Sequence, residues 1–278
     1  GRIARWDGSS WHPLGSGVND GVRAIAVSGP DVYVGGGFTE AGGSPANYIA
    51  RWDGSNWHAL GDGVSGPVYA ITVSGSDVYV GGRFTQAGGT PANHIARWDD
   101  NSDTWCALGS GVSDWVYAIA VSGSDVYVGG QFTHAGGSPA SRIARWDGSS
   151  WHPLGTGVGD YVYAIAVSGS DVYVGGIFDQ AGGSPANYIA RWDVNSDTWS
   201  ALGTGVGNWV YAIAVSGSDL YVGGCFTLVG GNSVNRIARW DGIYWHACNW
   251  HPLGAGVNHE VRAIAVSGSD VYVGGKFS

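Results

Sequence analysis

The stretch VYAITVSGSDVYVGGRF, residues 68–84, decides the fold. β-Branched and aromatic residues fill two runs, Val68 to Ser74 and Val78 to Phe84, around a Gly75-Ser76-Asp77 turn. That pattern predicts two short antiparallel strands. Downstream, a Gly-rich loop from Thr85 to Asn93 leads to a third strand, Ile95 to Trp98. A second turn holds Asp99 to Asp103, and a fourth strand is predicted from Trp105 to Leu108. No segment carries an apolar period of 3.6, so almost no helix is expected.

This four-strand unit recurs along the chain. Ile-Ala-Arg-Trp returns with its arginine at Arg5, Arg51, Arg97, Arg145, Arg191 and Arg239, at spacings of 46 to 48 residues. The glycine pair returns at Gly35-Gly36, Gly81-Gly82, Gly129-Gly130, Gly175-Gly176, Gly223-Gly224 and Gly274-Gly275. Six copies of each landmark predict six units. The chain begins with a third and fourth strand, Ile3 to Leu14, and finishes with a first and second, Val261 to Phe277. Two such halves can complete one sheet and remove an exposed edge, as a closed ring requires. An open array would instead call for polar caps. The expectation is an all-β, six-bladed β-propeller filling residues 1–278 as a single domain, four antiparallel strands per blade. Its last blade is expected to be closed by the N-terminal and C-terminal strand pairs. By repeat register most of one Gly-rich loop is missing between Ser278 and Gly1, which reads as a cut within a loop.

Composition narrows the partners. Hydrophobic residues make up 44% of the 278 and charged residues 13%, enough apolar material for a sizeable core. The net charge is −9 and Lys276 is the only lysine. A phosphate backbone demands clustered Lys and Arg, so nucleic acid is not an expected partner, nor is an anionic membrane surface. No apolar run is long enough to span a bilayer as a helix. Methionine is absent, which reads as a processed form or a portion of something longer. Cys106, Cys225 and Cys248 show no metal-ligand spacing, and their odd number argues against a disulfide framework. A monomer without cofactor or metal is expected.

A glycine pair after an apolar strand, then Trp-Asp, then a second Trp resembles the kelch-type propeller repeat. Gly81-Gly82, Trp98-Asp99 and Trp105 show it in one unit, and the likeness covers all six. Trp stands where kelch repeats usually carry Tyr. The run Val-Gly-Gly-x-Phe-Thr-x-Ala-Gly-Gly is similar to bacterial relatives of that family. The resemblance implies a propeller fold and leaves function open. Kelch-family copper oxidases carry a Tyr/His/Cys copper set, and no such set aligns here, so no catalytic residue is transferred.

Residues repeated in every unit read first as packing. The six arginines and the turn aspartates Asp31, Asp77, Asp125, Asp171, Asp219 and Asp270 can satisfy one another or nearby carbonyls. The sharper alternative is a set of equivalent inter-blade sugar sites built from Arg, Trp and Asp. The paired tryptophans are expected between blades. The histidines after the second Trp (His12, His58, His152, His251) become Cys106 and Ser200 in two units, which argues against a ligand or base in every blade. Asp99-x-Asn101-x-Asp103 and Asp193-x-Asn195-x-Asp197 have calcium-loop spacing, but lack the glycine and distant Glu of an EF-hand. Such clusters are equally hairpin turns.

Where units differ, a working surface is expected. The loops leading into the first strands carry Asp114-Trp115, Asp160-Tyr161, Asn208-Trp209 and His259-Glu260. Just beyond stand Arg23, Tyr69, Tyr117, Tyr163, Tyr211 and Arg262, and Arg83 follows a glycine pair. An aromatic arc of Trp115, Tyr161 and Trp209 with Asp114, Asp160 and Asn208 is expected to face a charged arc of Arg23, Arg262, Lys276, His259 and Glu260 across a channel mouth. With Arg83 these form the expected ligand site. Aromatic faces stack on sugars or cations while carboxylates and amides set orientation. A non-catalytic scaffold for a protein, peptide or carbohydrate ligand follows, with a lectin as the alternative. An enzyme is the weaker reading: His134, His259 and Glu260 are the best acid–base candidates, and no nucleophile motif accompanies them. The long last hairpin, Asp241 to Gly254, adds an Ile243-Tyr244-Trp245 tip, near Cys248, that could dock a partner or fold back on its blade.

Overall fold

The computed structural model describes residues 1–242 and 250–278. The tip of the last hairpin, with Ile243, Tyr244, Trp245 and Cys248, lies outside the described residues. Five four-stranded antiparallel sheets carry the chain. Blade 1 is Val22–Ser28, Asp31–Gly36, Ile49–Trp52 and Trp57–Ala59. Blade 2 is Val68–Ser74, Asp77–Gly82, Ile95–Asp99 and Thr104–Ala107. Blade 3 is Val116–Ser122, Asp125–Gly130, Ile143–Trp146 and Trp151–Pro153. Blade 4 runs from Val162–Ser168 to Thr198–Ala201, and blade 5 from Val210–Ser216 to Trp250–Pro252. Strand order within each sheet follows the chain, and no helix occurs among the described residues. The predicted all-β fold of repeated propeller-type sheets is therefore what the chain forms.

The chain divides into two compact units. The first holds Gly1–Val126, Phe132–Pro139 and Trp146–Trp151; the second holds Tyr127–Gln131, Ala140–Arg145 and His152–Ser278. Blades 1 and 2 belong to the first and blades 4 and 5 to the second, while the strands of blade 3 are shared out. In the first unit Tyr33, Ile49, Leu60, Val68, Val80, Phe84 and Trp98 form one buried cluster. In the second, Tyr127, Ile143, Val162, Val174, Phe178 and Trp192 repeat it.

The two glycines of each pair serve different neighbours. A Cβ on Gly81 would lie 2.4 Å from Val116 Cγ1 and 3.0 Å from Ile119 Cδ1, side chains of the following blade. A Cβ on Gly82 would lie 2.2 Å from the Pro67 carbonyl oxygen in its own blade. The first glycine admits the next blade; the second admits the lead-in loop. Neither space can be made by shifting a flexible side-chain tip.

The tryptophan pair completes the joint, as expected. Trp98 and Trp105 lie with ring centroids 5.4 Å apart. Trp105 Nε1 donates to the Leu60 carbonyl of the preceding blade at 2.9 Å, and Trp199 does the same to Leu154. Burying one indole removes roughly 200 Å² from water, about 5 kcal/mol gross, against about 1 kcal/mol net for its hydrogen bond. Packing thus contributes more of the joint's stability, and the hydrogen bond fixes its geometry.

The sequence-predicted Gly-rich loops hold structure of their own. Gln86–Ala87 pairs with Thr90–Pro91, and Ala87 also bridges to Val64 in the lead-in loop. These ribbons join the second strand to the third and pin the loop that leads into the first strand of their own blade.

Ala4–Trp6 pairs with Trp11–Pro13 in the first unit, and Val261–Ser267 pairs with Asp270–Gly275 in the second.

Candidate functional site

The candidate site grows out of a repeated irregularity in the sheets. Pairing of the first two strands slips by one residue at Val22/Ala24, Val162/Ala164, Val210/Ala212 and Val261/Ala263. In blade 2 Val68 faces Gly82 while Ala70 faces Gly81. The residue left over is Arg23, Tyr69, Tyr163, Tyr211 or Arg262. A β-bulge turns its extra side chain away from the regular pleat. The cause is the second glycine: the lead-in carbonyl drops into its missing Cβ and accepts the next N–H. Arg83 N donates to Pro67 O at 2.8 Å, and Cys225 N to Trp209 O at 3.0 Å.

In the first unit these side chains stack. The Arg23 guanidinium lies 5.2 Å from the Tyr69 ring centre, and Tyr69 lies 5.5 Å from Tyr117. Trp115 meets Tyr117 edge-on at 6.4 Å, and Arg83 covers the Trp115 ring at 4.6 Å. The second unit repeats the theme in reverse order. Tyr163 and Tyr211 are 5.6 Å apart, and Arg262 covers Tyr211 at 5.5 Å. Trp209, 44% exposed, meets Tyr211 edge-on at 6.3 Å. Tyr161 is covered by Arg142 at 5.7 Å. Each unit thus bears two stacked tyrosines ended by an arginine. Burial, then the Asp160 charge, pushes the Tyr163 phenol up. Burial, with the Cys225 thiol and the Glu260 charge, pushes Tyr211 well up. Both keep their proton at neutral pH and remain able to donate.

The predicted polar residues have a more local occupation. Asp114 Oδ1, Asp160 Oδ1 and Asn208 Oδ1 each accept the N–H of the next residue at 2.8 Å. His259 Nδ1 accepts from Glu260 N at 2.8 Å in the same way. Blade 2 has Gly66-Pro67 here, and proline has no N–H to satisfy. The Asp, Asn and His of these loops are therefore turn acceptors before anything else. Glu260 accepts from Arg262 Nε and Nη2 at 2.9 and 2.7 Å and has Lys276 Nζ at 3.7 Å. The Arg262 hydrogen bond holds the Glu260 carboxyl below its ordinary range. A carboxylate so bound is a poor general base. His134 Nδ1 lies 3.0 Å from Thr133 Oγ1.

Of the predicted site, the structure brings together Arg83 with Trp115, and Glu260 with Arg262. Tyr69, Tyr117, Tyr163 and Tyr211 complete the stacks yet stood outside the predicted set. Their signal was present: the position two residues past the lead-in loop is only ever Tyr or Arg. Arg142 carried no such signal.

The repeated charges pair within and between blades. Arg97 Nη1 lies 3.3 Å from Asp77 and Arg239 Nη1 2.8 Å from Asp219, each within one blade. Arg51 instead reaches Asp100 of the next blade at 3.0 Å. These pairs are partly exposed and worth about 0–1 kcal/mol each. Asp99 and Asp193 accept the backbone N–H of Asn101 and Asn195, as hairpin turns do. In the second unit a cavity of about 510 Å³ opens beside Tyr127, Arg145, His152, Leu154, Trp192 and Asp197. Val194 stands there where blade 2 has Asp100.

No protein-family model matches the chain, and no curated protein matches it. Among solved structures, the computationally designed Ika8 protein aligns with 93% of this chain and 94% of its own, at 16% identity and a TM-score of 0.40. A likeness of that size carries no argument about the site.

Proposed function

We propose that this chain is a non-catalytic binding module of kelch-like propeller type, whose bulged edge takes a protein, peptide or carbohydrate ligand. The observation that carries this reading is the stack of Tyr and Trp rings ended by Arg in each unit, built on bulges rather than in the core. Such a strip offers flat apolar faces, phenol donors and guanidinium charge, the set that holds sugar rings or extended peptides. It offers no base free of a stronger partner among Glu260 and the lead-in aspartates. Calorimetry with a glycan panel and a panel of short peptides tests the reading. At least one class should bind, and Trp115→Ala with Trp209→Ala should abolish that binding with the melting temperature nearly unchanged. Binding that survives the double substitution removes these rings from the site.

A second reading, an inter-blade carbohydrate site, is favoured by the cavity lined by Arg145, Trp192 and Asp197, the residue types expected for it. Here Trp192→Ala would remove sugar binding while Trp115→Ala leaves it intact.

A further inference from the structure

Blades 2 and 4 share a turn of one length between their third and fourth strands, and the two turns differ at one residue. Blade 2 reads Asp99-Asp100-Asn101-Ser102-Asp103, and blade 4 reads Asp193-Val194-Asn195-Ser196-Asp197. Their backbones match. Asp100 N donates to Ser76 O at 3.0 Å and Val194 N to Ser170 O at 2.9 Å. Asp103 and Asp197 both have φ of 52°. The Asp100 and Val194 side chains therefore leave their turns at equivalent places.

In the first unit the Asp100 carboxylate is gripped by its surroundings. Arg51 Nη1 of the preceding blade donates to both oxygens, at 3.2 and 3.0 Å, and Trp98 Nε1 donates to Oδ1 at 3.2 Å. Burial, then the Asp100 charge, pushes the nearby Tyr33 phenol up to about 12. The equivalents of Arg51, Trp98 and Tyr33 in the second unit are Arg145, Trp192 and Tyr127. All three line the cavity of about 510 Å³, with Val194 where the carboxylate would be. Trp192 is 5% exposed, so it has little ring face to stack on a sugar, and what it can offer is its Nε1 donor. Pro153 and Leu154 add apolar wall, and Asp197, exposed, offers acceptors for hydroxyls. The volume lies within the range of small-ligand sites.

We propose that this cavity binds the carboxylate of an acidic sugar, a hexuronate, with Arg145 and Trp192 Nε1 holding it as Arg51 and Trp98 hold Asp100. The proposal rests on the inter-blade carbohydrate reading and narrows it to sugars that carry a carboxylate. Blade 2 supplies that group from its own turn; blade 4 takes it from the ligand. A neutral sugar lacks the ion that a guanidinium and an indole N–H are set to bind, and charge-assisted hydrogen bonds are roughly twice as strong as neutral ones. The sugar hydroxyls are left for Asp197.

Titration of the isotope-labelled whole chain with glucuronate, and separately with glucose, tests this through the indole N–H resonances. Trp192→Phe and Trp98→Phe identify the two signals that matter. Glucuronate should shift the Trp192 signal, and glucose should need at least about ten-fold more to do so. Val194→Asp puts the blade 2 carboxylate into the cavity and should abolish the response, in a turn that already tolerates that residue in blade 2. Asp100→Val makes the reverse change and should add a second glucuronate response, at Trp98. A glucuronate response that survives Val194→Asp, or a Trp98 signal that stays silent in Asp100→Val, overturns the proposal. Glucose acting as well as glucuronate overturns it too, while leaving the carbohydrate reading of the cavity in place. Silence of Trp192 toward both sugars removes the proposal and that reading together.

Discussion

The glycine pair and the residue bulged opposite it sit in the same strand pair, yet the repeat treats them in opposite ways. Gly81-Gly82 recurs unchanged in all six units, while the facing position alternates between Tyr and Arg. The difference follows from what each touches. Gly81 is covered by Val116 and Ile119, and Gly82 by the Pro67 carbonyl, so no side chain fits. Tyr69 is turned out of the pleat by the bulge, so its identity is free to serve the surface. The second invariant glycine creates the bulge, and the bulge then presents the variable residue. Blade joint and candidate site thus follow from the two missing Cβ atoms of one glycine pair.

The largest expected effect breaks the comparison at its crowded end. Gly81→Ala should cost about 3 kcal/mol, because its methyl would overlap Val116 and force blade 2 from its neighbour. Gly89→Ala is the control. It has φ +74° and nothing within 4 Å, so it carries only the left-handed penalty of about 1 kcal/mol. Urea denaturation of both measures the gap. Equal losses would mean that the first glycine is kept for conformation rather than for contact.

The next effect separates shape from hydrogen bonding at the same joint. Trp105→Phe keeps most of the buried ring and removes the donor to Leu60 O. The loss expected is about 1 kcal/mol, that of the one hydrogen bond, since the Leu60 carbonyl still accepts from Gly63 N at 2.9 Å. A loss as large as that of Gly81→Ala would place the joint's specificity in the hydrogen bond instead.

How much of this was legible depends on whether the deciding contact was local. The strands of blade 2 fall within a residue or two of where alternation places them, since pleat and turn are read from adjacent residues. The ribbon at Gln86–Ala87 was missed because it is only two residues long and pinned by Val64, some twenty residues back. At the site, Arg83, Trp115, Trp209 and Arg262 were visible as departures from the repeat. The lead-in Asp114 and Asp160 were visible too, but their first use is the N–H one residue on, a bond no alignment of units displays.

Variation can also be structural, and the fourth-strand column shows it. His58 Nε2 bonds Asp53 Oδ2 at 2.7 Å across the short Asp53-Gly54-Ser55-Asn56 turn. In blade 2, with the longer turn after Asp99, the column holds Cys106 facing Arg97. The residue changes with the turn it closes rather than with a ligand. Asp53 Oδ1 also accepts from Ser55 and Asn56, and these backbone bonds, aided by His58, lower its pKa from 3.8 to about 2. A carboxyl depressed in the folded state contributes stability that is present above its unfolded pKa and lost as pH falls through the folded one. Asp53→Asn should therefore be slightly less stable than wild type at neutral pH, and the gap should close between about pH 4 and pH 2. Thermal melts of both proteins across that range measure it. A gap independent of pH would assign the turn's preference to shape alone and leave the histidine column without its structural reason.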